Sequence, residues 1–301
     1  LQASGAIMLA AFLPQVPVSA RISLCPTPDI FSAIRALVKF DISNNELYIA
    51  GAKALAEAMR GNQVMTELNI ADNGLGKTSE YGNADMSGII AIGGAIPTMG
   101  AMTSLDISGN HLVSMKTVVT KEKTYYSDGD TDSDEETEEV ADFSGVQAMA
   151  DSIKNNGALT SLDISNNHLV HSSDWIDRDA HGFKEGDMVE HQGVKCPVSQ
   201  AISSSYKVMM MHGIVALADA ISANGALVKF DISNNNLAAD GTKAIAEGLQ
   251  GNATITELNI ANNFLGKKNP WARADVDMAG VIAIGNAIPT MGALATITFG
   301  D

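Results

Sequence analysis

ALTSLDISNNHL, residues 158–169, is the stretch whose reading decides the fold. Leu162 and Ile164 alternate with Ser161 and Asp163, the pattern of a short strand with one buried face. The Asn pair that follows marks a turn. The phrase recurs as ALVKFDISNNEL (36–47), VMTELNIADNGL (64–75), AMTSLDISGNHL (101–112), ALVKFDISNNNL (226–237) and TITELNIANNFL (254–265), and a shorter seventh copy, ALATITFGD, begins at 293. Self-similarity of this kind is the signature of a repeat architecture. The Asn two positions before the closing Leu falls at Asn45, Asn73, Asn110, Asn167, Asn235 and Asn263, so the intervals are 28, 37, 57, 68 and 28 residues. A unit of 28 has therefore received inserts of 9, 29 and 40 residues.

Between the phrases the apolar spacing changes to threes and fours. Val146, Met149 and Ile153, then Ile214, Leu217 and Ile221, then Val281, Ile284 and Ile288 each form a helical stripe. Gly61, Gly157, Gly225 and Gly251 follow such stripes and suit helix ends. One strand and one helix cannot bury each other's apolar faces alone, but stacked units can. The six Asn residues then form an internal column, their side chains bonding backbone groups that no ladder satisfies.

The pattern L-x-x-L-x-L-x-x-N-x-L resembles the leucine-rich repeat family, in the long-unit form of ribonuclease inhibitor and the Ran GTPase-activating protein. It reads here as Leu159, Leu162, Ile164, Asn167 and Leu169, and again as Leu37, Phe40, Ile42, Asn45 and Leu47. The resemblance covers about 36–112, 142–169 and 211–301. It implies an α/β horseshoe solenoid with parallel strands inside, helices outside and about seven to eight units, forming one domain over 1–301. It also implies a protein partner held on the inner strand face or on the loops. The alternative it carries is activation of a small GTPase, which in that family uses a loop arginine. Arg21, Arg35, Arg60, Arg178 and Arg273 stand in no matching motif, and the acidic run is internal rather than a tail.

A longer period overlies the short one. ALVKFDISNN occurs at 36 and at 226, and IAIGGAIPTMGA (90–101) returns as IAIGNAIPTMGA (282–293), which indicates duplication of a multi-unit module. The strand at Ile297 and Phe299 shows no polar cap, so a continuation or a covering partner is expected there. At the other end, a shift of 140 lays Ser4-Gly5 on Ser144-Gly145, so residues 1–35 read as a degenerate first unit. The alternative is a processed leader, although a basic lead and an initiating Met are missing. The start at Leu1 leaves an upstream part open, and with it the compartment, cytoplasmic or organellar.

Two surfaces are candidates for binding. The outward strand positions form ladders, and the middle one contains Asp41, Asp106, Asp163 and Asp231 among Asn69 and Asn259. This acidic-amide stripe would suit a basic partner, or its carboxylates would bond local backbone. The third ladder, Ser43, Ala71, Ser108, Ser165, Ser233 and Ala261, is expected to face outward beside it. The second surface is the edge that carries the loops GKTSEYGNADMS (76–87) and GKKNPWARADVDMA (266–279), which project Tyr81, Trp271 and Arg273. Tyr, Trp and Arg are the commonest anchors of protein interfaces, which favours this edge.

The formal charge is -16 and aromatics are 5% of the chain, which excludes nucleic acid and an anionic membrane surface as default partners. Half of that charge lies in 121–142, which overlaps the acidic insert 113–141 and reads as a mobile loop. Asp128, Asp130, Asp132, Asp134, Glu136 and Glu139 follow calcium-loop spacing, but Ser133 takes the place of the required Gly. The loop leaves room for no more than weak, diffuse cation binding, and Thr131 and Ser133, which precede acidic residues, could be phosphorylated by an acidophilic kinase. The insert 170–210 contains His171, His181 and His191 without a closed metal pattern, and a hairpin reading around Gly193. Nucleophile-elbow, phosphate-loop, dinucleotide and zinc-protease motifs are absent from the sequence. Cys25 and Cys196 have no acid–base companions nearby in sequence. No catalytic residue, cofactor or metal site is assigned.

Overall fold

The computed structural model describes residues 34–81, 83–121, 136–172, 176–177, 188–191, 194–201, 205–268, 270 and 276–300, with backbone alone described over 116–140 and 171–210. Residues 1–33 of the degenerate start and the calcium-spaced residues Asp128 to Asp134 fall outside them, as do Trp271 and Arg273.

Each repeated phrase forms a three-residue strand. These are β1 (Lys39–Asp41), β2 (Glu67–Asn69), β3 (Ser104–Asp106), β6 (Ser161–Asp163), β12 (Lys229–Asp231), β13 (Glu257–Asn259) and β14 (Thr296–Thr298). They build one parallel sheet in the order β1-β2-β3-β6-β12-β13-β14, with equivalent residues opposite one another throughout. The helices are α1 (Tyr48–Met59), α2 (Ser87–Ala95), α3 (Ser144–Asn155), α4 (His212–Ala223), α5 (Ala238–Leu249) and α6 (Ala279–Ala287). Each packs on the next in the same order as the strands. The strand residues Leu68, Leu105, Leu162, Phe230 and Leu258 meet helix residues such as Leu55, Ile92, Met149, Leu217 and Ile245 in one continuous buried core.

The turn after each strand follows one backbone recipe. The column Asn is flanked by two residues in the left-handed region. Asn44 and Glu46 flank Asn45, Asn166 and His168 flank Asn167, and Asn234 and Asn236 flank Asn235. Asn, Asp and Gly tolerate that conformation best, which explains the Asn-Asn, Asp-Asn and Gly-Asn pairs. Helix starts lean on the neighbouring unit rather than on caps. Tyr48 N donates to Asn73 O at 2.9 Å, and Ala238 N donates to Asn263 O at 2.8 Å. Before α2, α3 and α6 an aspartate takes the capping role, with Asp85, Asp142 and Asp277 Oδ1 accepting from Ser87, Ser144 and Ala279 N. Bonding by Ser87 holds the Asp85 carboxyl below its ordinary range.

Of the four glycines read as helix ends, Gly61 and Gly251 are left-handed. Gly157 and Gly225 are not, because the preceding Asn156 and Asn224 have already turned the chain by binding backbone N–H groups. The acidic run is not loop throughout. β4 (Ser114–Lys121) pairs antiparallel with β5 (Glu136–Asp142), so part of the charge sits on a strand, with Glu139 opposite Thr117 and Glu138 opposite Val118. In the longer insert, β9 (Met188–His191) and β10 (Val194–Ala201) pair antiparallel, with Val194 opposite His191. β11 (Ser205–Met210) extends that sheet and meets β7 (His171–Ser172) and β8 (Ile176–Asp177).

Candidate interaction surfaces

The column Asn residues lie under the turns. Asn45 N donates to Asn73 Oδ1 at 2.9 Å, Asn73 to Asn110 at 3.0 Å, Asn110 to Asn167 at 2.8 Å, Asn167 to Asn235 at 2.8 Å and Asn235 to Asn263 at 2.7 Å. Each side-chain amide also donates to strand-end carbonyls; that of Asn110 reaches Ile70 O, Ile107 O and Ser108 O. Asn45 is half-buried and the other five are buried. These residues are consumed by structure.

A second set of asparagines performs a matching task where helices return to strands. Asn62, Asn156, Asn224 and Asn252 each accept two N–H bonds through Oδ1, from Val64 and Met65 in the first case. The Asn224 amide reaches back to Ile153 O at 2.8 Å. The sequence reading missed them. Their signal was an Asn two residues before the repeated phrase, broken where Met99 and Met291 take the position.

On the strand face the aspartates are partly committed. Asp41, Asp106, Asp163 and Asp231 each accept the N–H of the Ser two residues on, at 2.9–3.0 Å. Asn69 and Asn259 accept Ala71 N and Ala261 N in the same way. The stripe is therefore a row of side-chain-closed turns that end the strands. Asp231 Oδ2 also takes a bond from Asn259 Nδ2 at 2.7 Å. Burial, then Ser165 bonding in opposition and the fields of Asp231 and Asp106, leave the Asp163 carboxyl above its ordinary range. The flanking ladder is neutralised in pairs, Lys39 with Glu67 and Lys229 with Glu257 at 2.8 Å. The third ladder faces outward only in part: Ser43, Ser108 and Ser165 are half-buried, whereas Ala71, Ser233 and Ala261 are buried, because the closed turn bends the chain inward.

The loop edge is different in kind. Tyr81 is 92% exposed, at the tip of a loop closed by a bridge between Lys77 and Ala84 and by Thr78 N donating to Asn83 O. The duplicate loop has the equivalent bridge, Lys267 to Val276. Beside it opens a cavity of about 780 Å³ lined by amide, aromatic and aliphatic side chains, among them His168, Asn236, Phe264, Val281 and Phe299. His168 stacks on His111 with ring centres 5.6 Å apart. Lys267 Nζ stands 5.0 Å over the Phe264 ring. Phe264 adopts φ 56° where the duplicated module has Gly74. Among the described residues no group of three or more His, Cys, Asp or Glu side chains is placed to hold a metal. Among them, too, no helix is long and apolar enough to cross a membrane.

The family profile described as Leucine Rich Repeat matches residues 158–178, and a second, Leucine Rich repeat, matches 61–78. The chain is a leucine-rich repeat protein. Both matches fall where a repeat Asn follows its strand, at Asn167 and Asn73. Leucine-rich repeats generally mediate protein–protein interaction and are typically non-catalytic. A comparison with curated proteins finds no match. Among solved structures, leiomodin-1 actin-binding site 2 (ABS2) is similar at 13% identity over 75% of this chain and 91% of that chain, with a TM-score of 0.39. That overlap carries no argument about partners.

Proposed function

We propose that this leucine-rich repeat protein is a non-catalytic scaffold, or a fixed subunit of a larger assembly, that meets its protein partner along the loop edge of 76–87 and 266–279. The observation that carries the reading is Tyr81, an exposed aromatic on a loop held by its own bridge. Trp271 and Arg273 belong to the duplicate loop by sequence and supply the other anchor types. The strand-face aspartates are weaker contacts, since each already spends an oxygen on its own turn. Affinity isolation from the native organism, followed by size exclusion and mass spectrometry with crosslinking, tests this. Defined proteins should co-elute and crosslink to the two loops. Co-elution with crosslinks confined to the strand face would refute the loop assignment, and turnover of a co-purified substrate would refute the non-catalytic reading.

A further inference from the structure

The asparagines that turn helices back into strands differ in one member. Asn252 takes in the second module the place that Asn62 has in the first, 190 residues earlier. The triplet Asn62-Gln63-Val64 has become Asn252-Ala253-Thr254. The other two read Asn156-Gly157-Ala158 and Asn224-Gly225-Ala226. Asn252 therefore has the Asn-X-Thr spacing of an N-glycan acceptor, and no other Asn of the chain stands two residues before Ser or Thr.

Its side chain is also placed differently. Asn62 is 1% exposed, and Asn156 and Asn224 are 4% exposed. Asn252 is half-buried, between the exposed Gly251 and Ala253. Asn62 Nδ2 donates to Ile34 O at 3.1 Å and Leu37 O at 3.3 Å, and Asn224 Nδ2 to Ile153 O at 2.8 Å and Asn156 O at 3.3 Å. Asn156 Nδ2 reaches Ile96 O at 3.4 Å. Among the described residues Asn252 Nδ2 has no acceptor in bonding range. Its Oδ1 alone is engaged, by Thr254 N at 3.0 Å, Ile255 N at 2.9 Å and Thr254 Oγ1 at 3.4 Å. In the first module Gln63 straps the turn, its Nε2 donating to Thr98 O at 2.7 Å. Ala253 removes that strap. The units on either side are in place in both modules. Gly251 N donates to Thr290 Oγ1 at 3.0 Å, as Gly61 N does to Thr98 Oγ1. The exposure of Asn252 thus belongs to its own turn and not to an end of the stack.

We infer that Asn252 is an N-glycosylation site, and that the chain is delivered to the luminal or extracellular side of a membrane. The donor is an oligosaccharide carried on a lipid diphosphate. Asn252 Nδ2 attacks the anomeric carbon of that sugar. A C–N bond forms, the C–O bond to the diphosphate breaks, the diphosphate leaves with the bonding pair, and the amide gives up one proton. The amide oxygen is untouched, so the turn bonds from Thr254 N and Ile255 N persist in the glycosylated protein. The same substitution on Asn62 or Asn224 would take donors away from buried carbonyls. The return turns lie where strands begin, and the loops 76–87 and 266–279 lie beyond the ends of strands. A glycan on Asn252 therefore stands clear of the loop edge.

Peptide mass spectrometry of the protein purified from its native organism tests the inference. The peptide spanning Asn252 should carry a glycan, and after peptide N-glycosidase it should appear with Asp in place of Asn252. Thr254→Val, which restores the residue type of the first module, should abolish the modification when expressed in the same organism. Thr254→Ser should retain it. Thr254→Val should keep the melting curve of the deglycosylated chain, because the turn bond comes from the backbone N–H at that position. Recovery of the Asn252 peptide from untreated protein with a free side-chain amide and no glycosylated form would overturn the inference. So would a glycan that persists in Thr254→Val.

Discussion

Five hydrogen bonds meet at Asn167. Its Oδ1 accepts from Asn110 N, its own N–H goes to Asn235 Oδ1, and its amide reaches Ile107 O, Ile164 O and Ser165 O. Replacement by Ala leaves several buried partners unpaired, at a cost of about 3 kcal/mol or more. Asn45→Ala, at the half-buried first position, should cost about 1 kcal/mol. The difference in urea midpoint between the two variants checks the column. Asp163 behaves oppositely. Its carboxyl is pushed up by burial and by Asp231 and Asp106, so ionisation is disfavoured in the fold. Asn keeps the turn bond, as Asn69 and Asn259 do. Asp163→Asn should therefore stabilise by about 0.2–1 kcal/mol at neutral pH, the scale of a relieved cross-strand repulsion. The penalty on the native carboxylate is complete above its raised pKa and is relieved as pH falls through it. The variant's advantage should consequently shrink on acidification, measured by unfolding at several pH values.

At the scale of elements, the helices approach one another through glycine at some places and not at others. Gly145 admits no Cβ, which would stand 2.7 Å from both Leu112 O and Met86 Sδ. Gly145→Ala should separate α3 from α2 and destabilise by about 1–3 kcal/mol. Gly94, within α2, has open space around its Cβ position, so Gly94→Ala should stabilise by about 0.5–1 kcal/mol through helix propensity. Thermal unfolding of both variants reads the contrast. Strands, helices and the Asn column were legible because six copies repeat the same offsets. The turn's paired left-handed residues were less so, since His168 and Phe264 carry no local mark of that conformation. The second Asn set was hidden because Met99 and Met291 interrupt it. β5 was hidden because Glu136, Glu138 and Glu139 mask the strand's alternation with charge, while pairing with β4 supplies the order.

For the whole molecule, the 190-residue duplication explains why the sheet keeps one register across β1 to β14 despite inserts of 29 and 40 residues. Both inserts enter beyond the strand ends and fold on their own pairings, so the stack is not interrupted. The loop edge could be proposed from sequence because Tyr81 and Trp271 share a place in their units. That the aspartate stripe closes turns could be stated only as one of two alternatives, because side-chain bonding to Ser N–H is set by the bend itself.

Two variants separate the surfaces most directly. One carries Asp41→Asn, Asp106→Asn and Asp231→Asn, preserving every turn acceptor. The other carries Tyr81→Ser, Trp271→Ser and Arg273→Ser. Quantitative capture of native partners by each, against the unmodified chain, is the decisive measurement. The stripe variant should recover the same proteins, whereas the loop-edge variant should lose them at least ~10-fold, the scale of one interface anchor. Retention by the loop-edge variant, or loss confined to the stripe variant, would contradict a partner bound along the loop edge.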